Sequence, residues 1–145
     1  MELIVKHFRE LTTAELFEIY KLRVSVFVVE QNCPYQEVDQ GDLEAYHLWL
    51  KDDTGIQAYL RVLPKGTNHT DVSIGRVIAV KRRCGLGTQI VEAGIAAAKE
   101  RLGAERIVID AQTYARGLYE NIGFMQSGDE FLEDGIPHIP MVYLF

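Results

Sequence analysis

Cysteine, proline and tryptophan are scarce here: two, four and one among 145 residues. Cys33 and Cys84 lie far apart, with no partner at a ligand-like interval, so neither a disulfide framework nor a metal site is expected. Both read as free thiols of a reducing compartment. No apolar run is long enough to cross a bilayer, and Met1-Glu2-Leu3-Ile4-Val5-Lys6 lacks the charged-then-apolar layout of a signal peptide. A cytoplasmic location with no membrane partner is the expectation. Positive charge is limited too, since 15 Lys and Arg against 21 Asp and Glu leave a net charge of −6. That argues against a broad basic face able to displace the counterions of DNA or RNA. Repeats, low-complexity tracts and linkers are missing as well. The length therefore predicts a single domain, residues 1–145, able to bury a proper core.

What the chain does have is a three-part run from Ser73 to Arg101. Ser73–Val80 is β-branched and apolar, as a buried strand is. Lys81, Arg82, Arg83, Cys84, Gly85, Leu86, Gly87 and Thr88 follow as a short basic glycine loop. Leu86, Ile90, Gly94, Ala98 and Leu102 then fall at helical spacing along one small-to-apolar face. A strand, a glycine loop and a helix start leave backbone N–H groups and the positive end of a helix dipole together, which suits a phosphate or pyrophosphate. The spacing narrows the choice. Gly-x-x-x-x-Gly-Lys-Ser/Thr is absent, which excludes a P-loop, and so is Gly-x-Gly-x-x-Gly in an opening strand–helix–strand unit. Taken alone, two glycines before a helix are equally the mark of a plain turn.

The remaining elements follow in order. Leu3–Phe8 alternates as a first strand. Thr12 and Glu15 form a capping box for a helix through Leu16, Ile19, Tyr20, Leu22 and Arg23 toward Val26, although Val24–Val29 is rich in β-branched residues. Glu30–Asp39 is a polar loop broken by Pro34. Ala45–Leu50 and Ile56–Leu63 make a hairpin around Asp52-Asp53-Thr54-Gly55, and Pro64–Thr70 is a surface turn. After the central helix come a strand at Arg106–Ala111 and a short helix closed by Gly123. Phe124–Ser127 and Met141–Leu144 pair as a last hairpin, with Asp134-Gly135 in the connection. This order predicts a mixed α/β sheet with helices on both faces.

Arg82-Arg83-Cys84-Gly85-Leu86-Gly87 between strand and helix resembles the pyrophosphate loop of the GNAT N-acetyltransferases. About thirty residues on, Leu118-Tyr119-x-x-x-Gly123-Phe124 resembles the second half of the same core. Three further stretches resemble the ElaA-like branch: Leu22-Arg23-x-x-Val26-Phe27-Val28-Val29-Glu30-Gln31-x-Cys33-Pro34-Tyr35, Ile74-Gly75-Arg76-Val77, and Asp134-Gly135-Ile136-Pro137-His138. The resemblance covers nearly the whole chain. It implies an acyl-CoA N-acyltransferase fold with a mostly antiparallel sheet of six to seven strands, and acetyl-CoA as the cofactor. Ile78, Ala79 and Val80 would offer main-chain groups to the pantetheine arm. Arg82, Arg83, Gly85, Leu86, Gly87 and Thr88 would hold the pyrophosphate, and Gln112 would contact the cofactor. Arg83 departs from relatives that carry glycine there, and Ser73–Val80 lacks the acidic residue that some GNAT enzymes place on this strand.

The implied chemistry is attack of a primary amine, on a small molecule or on a peptide or lysine side chain, at a thioester. Tyr119 would protonate the departing sulfur as general acid, and the N–H of Ile78 or Val80 would polarise the carbonyl. Glu30 is the first choice as general base, ahead of Asp39, Glu44, His47 and His138. Tyr35, Asp39, His47, Arg76 and His138 are placed on the acceptor side. Arg76, which interrupts an apolar strand, pairs with Glu30 or Asp39 or else binds an acidic acceptor. The acid-rich run Glu30, Glu37, Asp39, Asp42 and Glu44 reads as a hint of a cationic acceptor or as a solvated loop. The competing function is a non-catalytic acyl-CoA-binding sensor. A homodimer through the C-terminal strands is a further expectation.

Overall fold

A computed structural model describes residues 1–145. An antiparallel meander opens the chain: β1 (Glu2–His7), β2 (Tyr46–Asp52), β3 (Gly55–Leu63) and β4 (Val72–Ala79). Between β1 and β2 run α1 (Thr13–Val24), a π-helical turn at Ser25–Glu30, the 31–40 loop and a single turn, α2 (Gly41–Glu44). Then come α3 (Leu86–Leu102), β5 (Arg106–Gln112), α4 (Arg116–Ile122), β6 (Met125–Gln126), β7 (Phe131–Glu133) and β8 (Ile136–Leu144). The sheet order is β1-β2-β3-β4-β5-β8-β6, with β7 also on β8. Every pairing is antiparallel except β4 with β5.

Eight strands replace the expected six to seven. The difference lies at the C-terminal end. Asp134-Gly135 is the turn of a tight β7–β8 hairpin rather than part of one long connection, and both residues take positive φ, 51° and 77°, as a two-residue hairpin turn requires. β7 is three residues long and largely exposed, too short to show an alternating pattern. β8 has neighbours on both edges, β5 on one side and the short β6 and β7 on the other. A dimer built on the C-terminal strands would therefore have to use β6 and β7.

Each face of the sheet buries its own cluster. On one, Ile19 of α1 packs with Trp49, Tyr59 and Ile78. On the other, Leu86, Ile90, Val91, Ala97 and Ala98 of α3 and Tyr119 of α4 pack on Leu48, Leu60, Ile74, Ile107 and Met141. Gly94 lets α3 sit close, because a Cβ there would stand 2.9 Å from Leu60 and 3.1 Å from Ile74. The start of α1 is fixed as expected. Glu15 N–H donates to Thr12 Oγ1 at 3.1 Å while Thr12 N–H donates to Glu15 Oε1 at 2.9 Å, and Lys6 Nζ holds the same carboxylate.

Candidate active site

Two local departures from regular sheet create the site. The first is a bulge in β4. Tyr59 faces Ile78 and Arg61 faces Gly75, so one residue of β3 stands opposite two of β4, and Arg76 in the bulge takes φ 55°. The second is a parting of strands. β4 and β5 pair only through Val72–Ile107 and Ser73–Val108. Beyond those pairs the strands diverge and leave one edge of β4 open. A cavity of about 460 Å³ fills the gap, lined among others by Gly75, Arg76, Val77, Asp110, Gln112 and Tyr119.

The open edge has a definite polarity. Val80 N–H donates to Gln57 O at 2.9 Å, and alternation along an antiparallel ladder turns Ile78 toward β3 as well. Neither N–H is free to polarise a carbonyl, which corrects the expectation for Ile78 and Val80. Ala79, between them, faces the open side.

At the upper end of the gap lies the basic loop. Lys81, Arg82, Arg83, Cys84 and Gly85 are all exposed. Gly85 sits at φ 75° before the first residue of α3, and no side chain caps the helix. The first turn bond runs from Gln89 N–H to Gly85 O, which leaves the N–H groups of Leu86, Gly87 and Thr88 without an intrahelical acceptor. The side chain of Leu86 is buried in the core, so its contribution to the loop is main-chain only. Arg83 adopts φ 60°, the left-handed region that glycine enters freely, so a non-glycine residue here holds a backbone conformation that glycine would take without strain. The arrangement fits a pyrophosphate: free N–H groups, a helix start and three cations in one exposed turn.

Tyr119 stands below this loop, and the sequence around it explains why. Gly123 at φ 126° closes α4, Phe124 N–H donates back to Tyr119 O at 2.9 Å, and the Phe124 ring meets the Tyr119 ring edge-on at 5.7 Å. Leu118, the preceding residue, packs so close to the loop that a Cβ on Gly87 would lie 3.3 Å from it. Tyr119 is 6 % exposed and borders the cavity. Burial pushes its phenol up from the usual value, which keeps the hydroxyl proton in place at neutral pH.

Comparisons with known proteins meet this geometry. The family model for the acetyltransferase (GNAT) domain matches residues 18–145. This chain belongs to the GNAT acetyltransferase family. It is 39% identical over 145 residues to a UPF0039 protein of Schizosaccharomyces pombe, covering 97% of this chain and 95% of that protein. Among solved structures it is similar to an acyl-CoA N-acyltransferase from Pseudomonas aeruginosa, with TM-score 0.89, 39% identity and 99% of each chain covered. It is equally similar in shape to Escherichia coli ElaA, with TM-score 0.90, 32% identity and 98% of each chain covered. Within the GNAT family the chain stands close to the ElaA branch, and it is an N-acetyltransferase whose fold implies an acyl-CoA cofactor. No helix is long and apolar enough to cross a membrane.

The acceptor-side residues divide sharply in this GNAT domain. Tyr35, Asp39, Arg76 and His138 border the cavity, as does Gln112, whose Nε2 donates to Gln31 Oε1 at 3.4 Å. His47 does not. It is wholly buried beneath the site; its Nε2–H donates to Asp42 O at 3.0 Å and its Nδ1 accepts from Tyr59 Oη at 2.7 Å. Burial pushes its imidazole down to about 4, so it is a structural neutral histidine rather than an acceptor-side base. Glu30 ends the π-helical turn in an exposed position and is not part of the cavity wall. That removes the geometric reason for choosing it as base.

Glu37 and Asp42, read from sequence as part of an acidic loop, are 2 % and 1 % exposed. Arg23 donates to Glu37 at 2.9 Å and to Asp42 at 2.6 Å. Arg61 donates to Asp39 at 2.6 Å and Asp42 at 2.8 Å. Arg76 reaches Glu37 at 2.5 Å and Asp39 at 3.4 Å, not Glu30, and its guanidinium lies 5.6 Å from the centre of the Tyr35 ring. Burial alone would raise the Asp39 carboxyl, but its hydrogen bond to Arg61 and the nearby Arg76 hold it below the usual carboxylate range. The sequence held half of this signal: arginines set in apolar stretches need anions beside them, but it does not say which carboxylates those are.

One pair went unread. His69, in the turn before β4, donates from Nε2 to Asp110 Oδ2 at 2.9 Å on the cavity wall. That hydrogen bond raises the His69 imidazole above its ordinary value.

Proposed function

We propose that this chain transfers the acetyl group of acetyl-CoA to a primary amine by direct attack in a ternary complex, with Tyr119 as general acid. The observation that carries the reading is the open β4 edge lying across a single cavity from a buried, protonated tyrosine. Acetyl-CoA supplies an activated thioester. Free main-chain groups of Val77 and Ala79 on β4 bind its pantetheine arm as an added strand would bind, Gln112 borders the same gap, and the loop from Arg82 to Thr88 holds the pyrophosphate. An N–H on the open edge polarises the thioester carbonyl. The nitrogen lone pair forms the new C–N bond, the C–S bond breaks with its electron pair on sulfur, and Tyr119 Oη protonates that sulfur. The phenolate recovers its proton from the nitrogen, directly or through water. A protonated amine loses its first proton to an imidazole of the cavity wall, His69 or His138. Free Cys33 and Cys84 accord with a reducing cytoplasm, and pairing along β6 and β7 is the route to a homodimer.

The test combines acetyl-CoA calorimetry with thiol release over a panel of amines. Tyr119→Phe is expected to bind acetyl-CoA within about twofold of wild type and to lose about a hundredfold in kcat, with the largest deficit at high pH. Unchanged turnover would remove Tyr119 from the mechanism. Absence of acetyl-CoA binding by the wild type would overturn the whole reading.

A further inference from the structure

The acceptor side carries a charge pattern that constrains the amine. Arg23, Arg61 and Arg76 are matched one for one by Glu37, Asp39 and Asp42, each arginine meeting two of the three carboxylates. The set is neutral within itself, and no lysine borders the cavity. No cation is left over for an acidic ligand, which decides the role left open for Arg76. The remaining carboxylates of the wall are Asp110, Glu133 and Asp134. Asp110 meets His69 at 2.9 Å, and Glu133 lies 3.7 Å from His138. When both imidazoles are charged, Asp134 is still unmatched; when they are neutral, all three carboxylates are.

A second, independent feature marks the same place. Ser73 is 2 % exposed and on the cavity wall, yet its Oγ has no hydrogen-bond partner. Its neighbours Val72 and Ile74 pack into the core on the α3 face, so alternation turns Ser73 to the opposite face, the side toward which Asp110 also points between buried Ile109 and Ala111. Arg61 Nε is likewise buried without an acceptor. Buried polar groups left unpaired in a protein are few. His69 Nδ1, in the pair that joins the turn before β4 to Asp110 of β5, is buried without a partner as well.

We propose that the acceptor is a cationic amine without a carboxylate, seated against Asp110 and His69, with an N–H of the same molecule donating to Ser73 Oγ. The inference rests on the acetyltransferase reading and narrows it. An amino acid presenting its α-carboxylate would place a negative charge against Asp110, Glu133 and Asp134 with no free guanidinium to receive it, and juxtaposed like charges discriminate strongly between partners.

The probes are two matched pairs: 1,5-diaminopentane with lysine, and agmatine with arginine. Within each pair one carboxylate is the only difference. Thiol release by the wild-type enzyme with acetyl-CoA is expected to give kcat/KM at least about tenfold higher for the decarboxylated member. Asp110→Asn is expected to narrow that ratio through a higher KM for the diamine, with calorimetric acetyl-CoA affinity unchanged. Equal or faster turnover of the carboxylate-bearing members would overturn the inference and leave the acetyltransferase reading standing. Acetyl-CoA binding with turnover of no amine would sink both. Because the matched pairs are read on the wild type, the outcome does not depend on a variant folding.

Discussion

His47 shows how far a residue's role depends on what surrounds it. As a sequence position it is a histidine on a strand near the acceptor side. In the fold it is a neutral ring locked between Tyr59 and the Asp42 carbonyl. Its folded value, about 4, lies below the unfolded value near 6.5, so between the two the unfolded chain binds the extra proton. Stability is therefore expected to fall as pH drops through that window, by up to about 3 kcal/mol from this group. His69 contributes with the opposite sign. Its raised value adds stability at low pH that is lost as pH rises through the folded value. Thermal melts of the wild type and of His47→Gln between pH 7 and pH 4.5 isolate the first effect, and the variant is expected to show the shallower slope. A parallel pair of curves would place the acid sensitivity elsewhere. Tyr119 and the loop from Arg82 to Thr88 were legible because short motifs name them. Glu37, Asp42 and His69 were not, since a charged residue in a polar stretch looks the same whether water or an arginine meets it.

At the scale of elements, sequence patterns succeeded where one face was buried and failed where the chain was irregular. The α1 capping box and the spacing along α3 were readable directly. The stretch after α1 was not. Its β-branched residues argue for a strand, yet Ser25–Glu30 stays helical as a π turn, because Val26 and Phe27 pack onto the Ile19–Trp49–Tyr59–Ile78 cluster and tertiary burial outweighs propensity. The contact of α3 with the sheet offers a sharper check. Gly94 faces Leu60, wholly buried, and Ile74, nearly so, so neither side chain has room to yield. Gly94→Val is expected to cost about 2 kcal/mol by overpacking, exceeding the helix propensity that valine adds. Urea unfolding measures it, and a midpoint equal to wild type would mean that the interface is looser than its geometry implies.

Across the whole molecule, the alternation of strands and helices was enough to predict a mixed sheet covered on both faces. The shortness of the β4–β5 pairing was not, because nothing in either strand's composition says where two parallel neighbours part. That pairing has a mechanical meaning. Four strands lie on one side of it and four on the other, and only two residue pairs stitch them together. In the proposed binding mode, an acyl donor lying along β4 as a strand would be a missing rung of the sheet, and its arrival would zip a seam that the polypeptide leaves open. Amide exchange offers the direct view: protection is expected to rise on acetyl-CoA binding at Ala79 and along β5 from Ile109 to Gln112, while β2 and β3 stay as they were. No change at that seam would mean that the ligand does not bridge the two halves. If it does, occupancy and cohesion are one quantity in this protein. A cell short of acetyl-CoA would then hold a chain that is idle and also easier to pull apart.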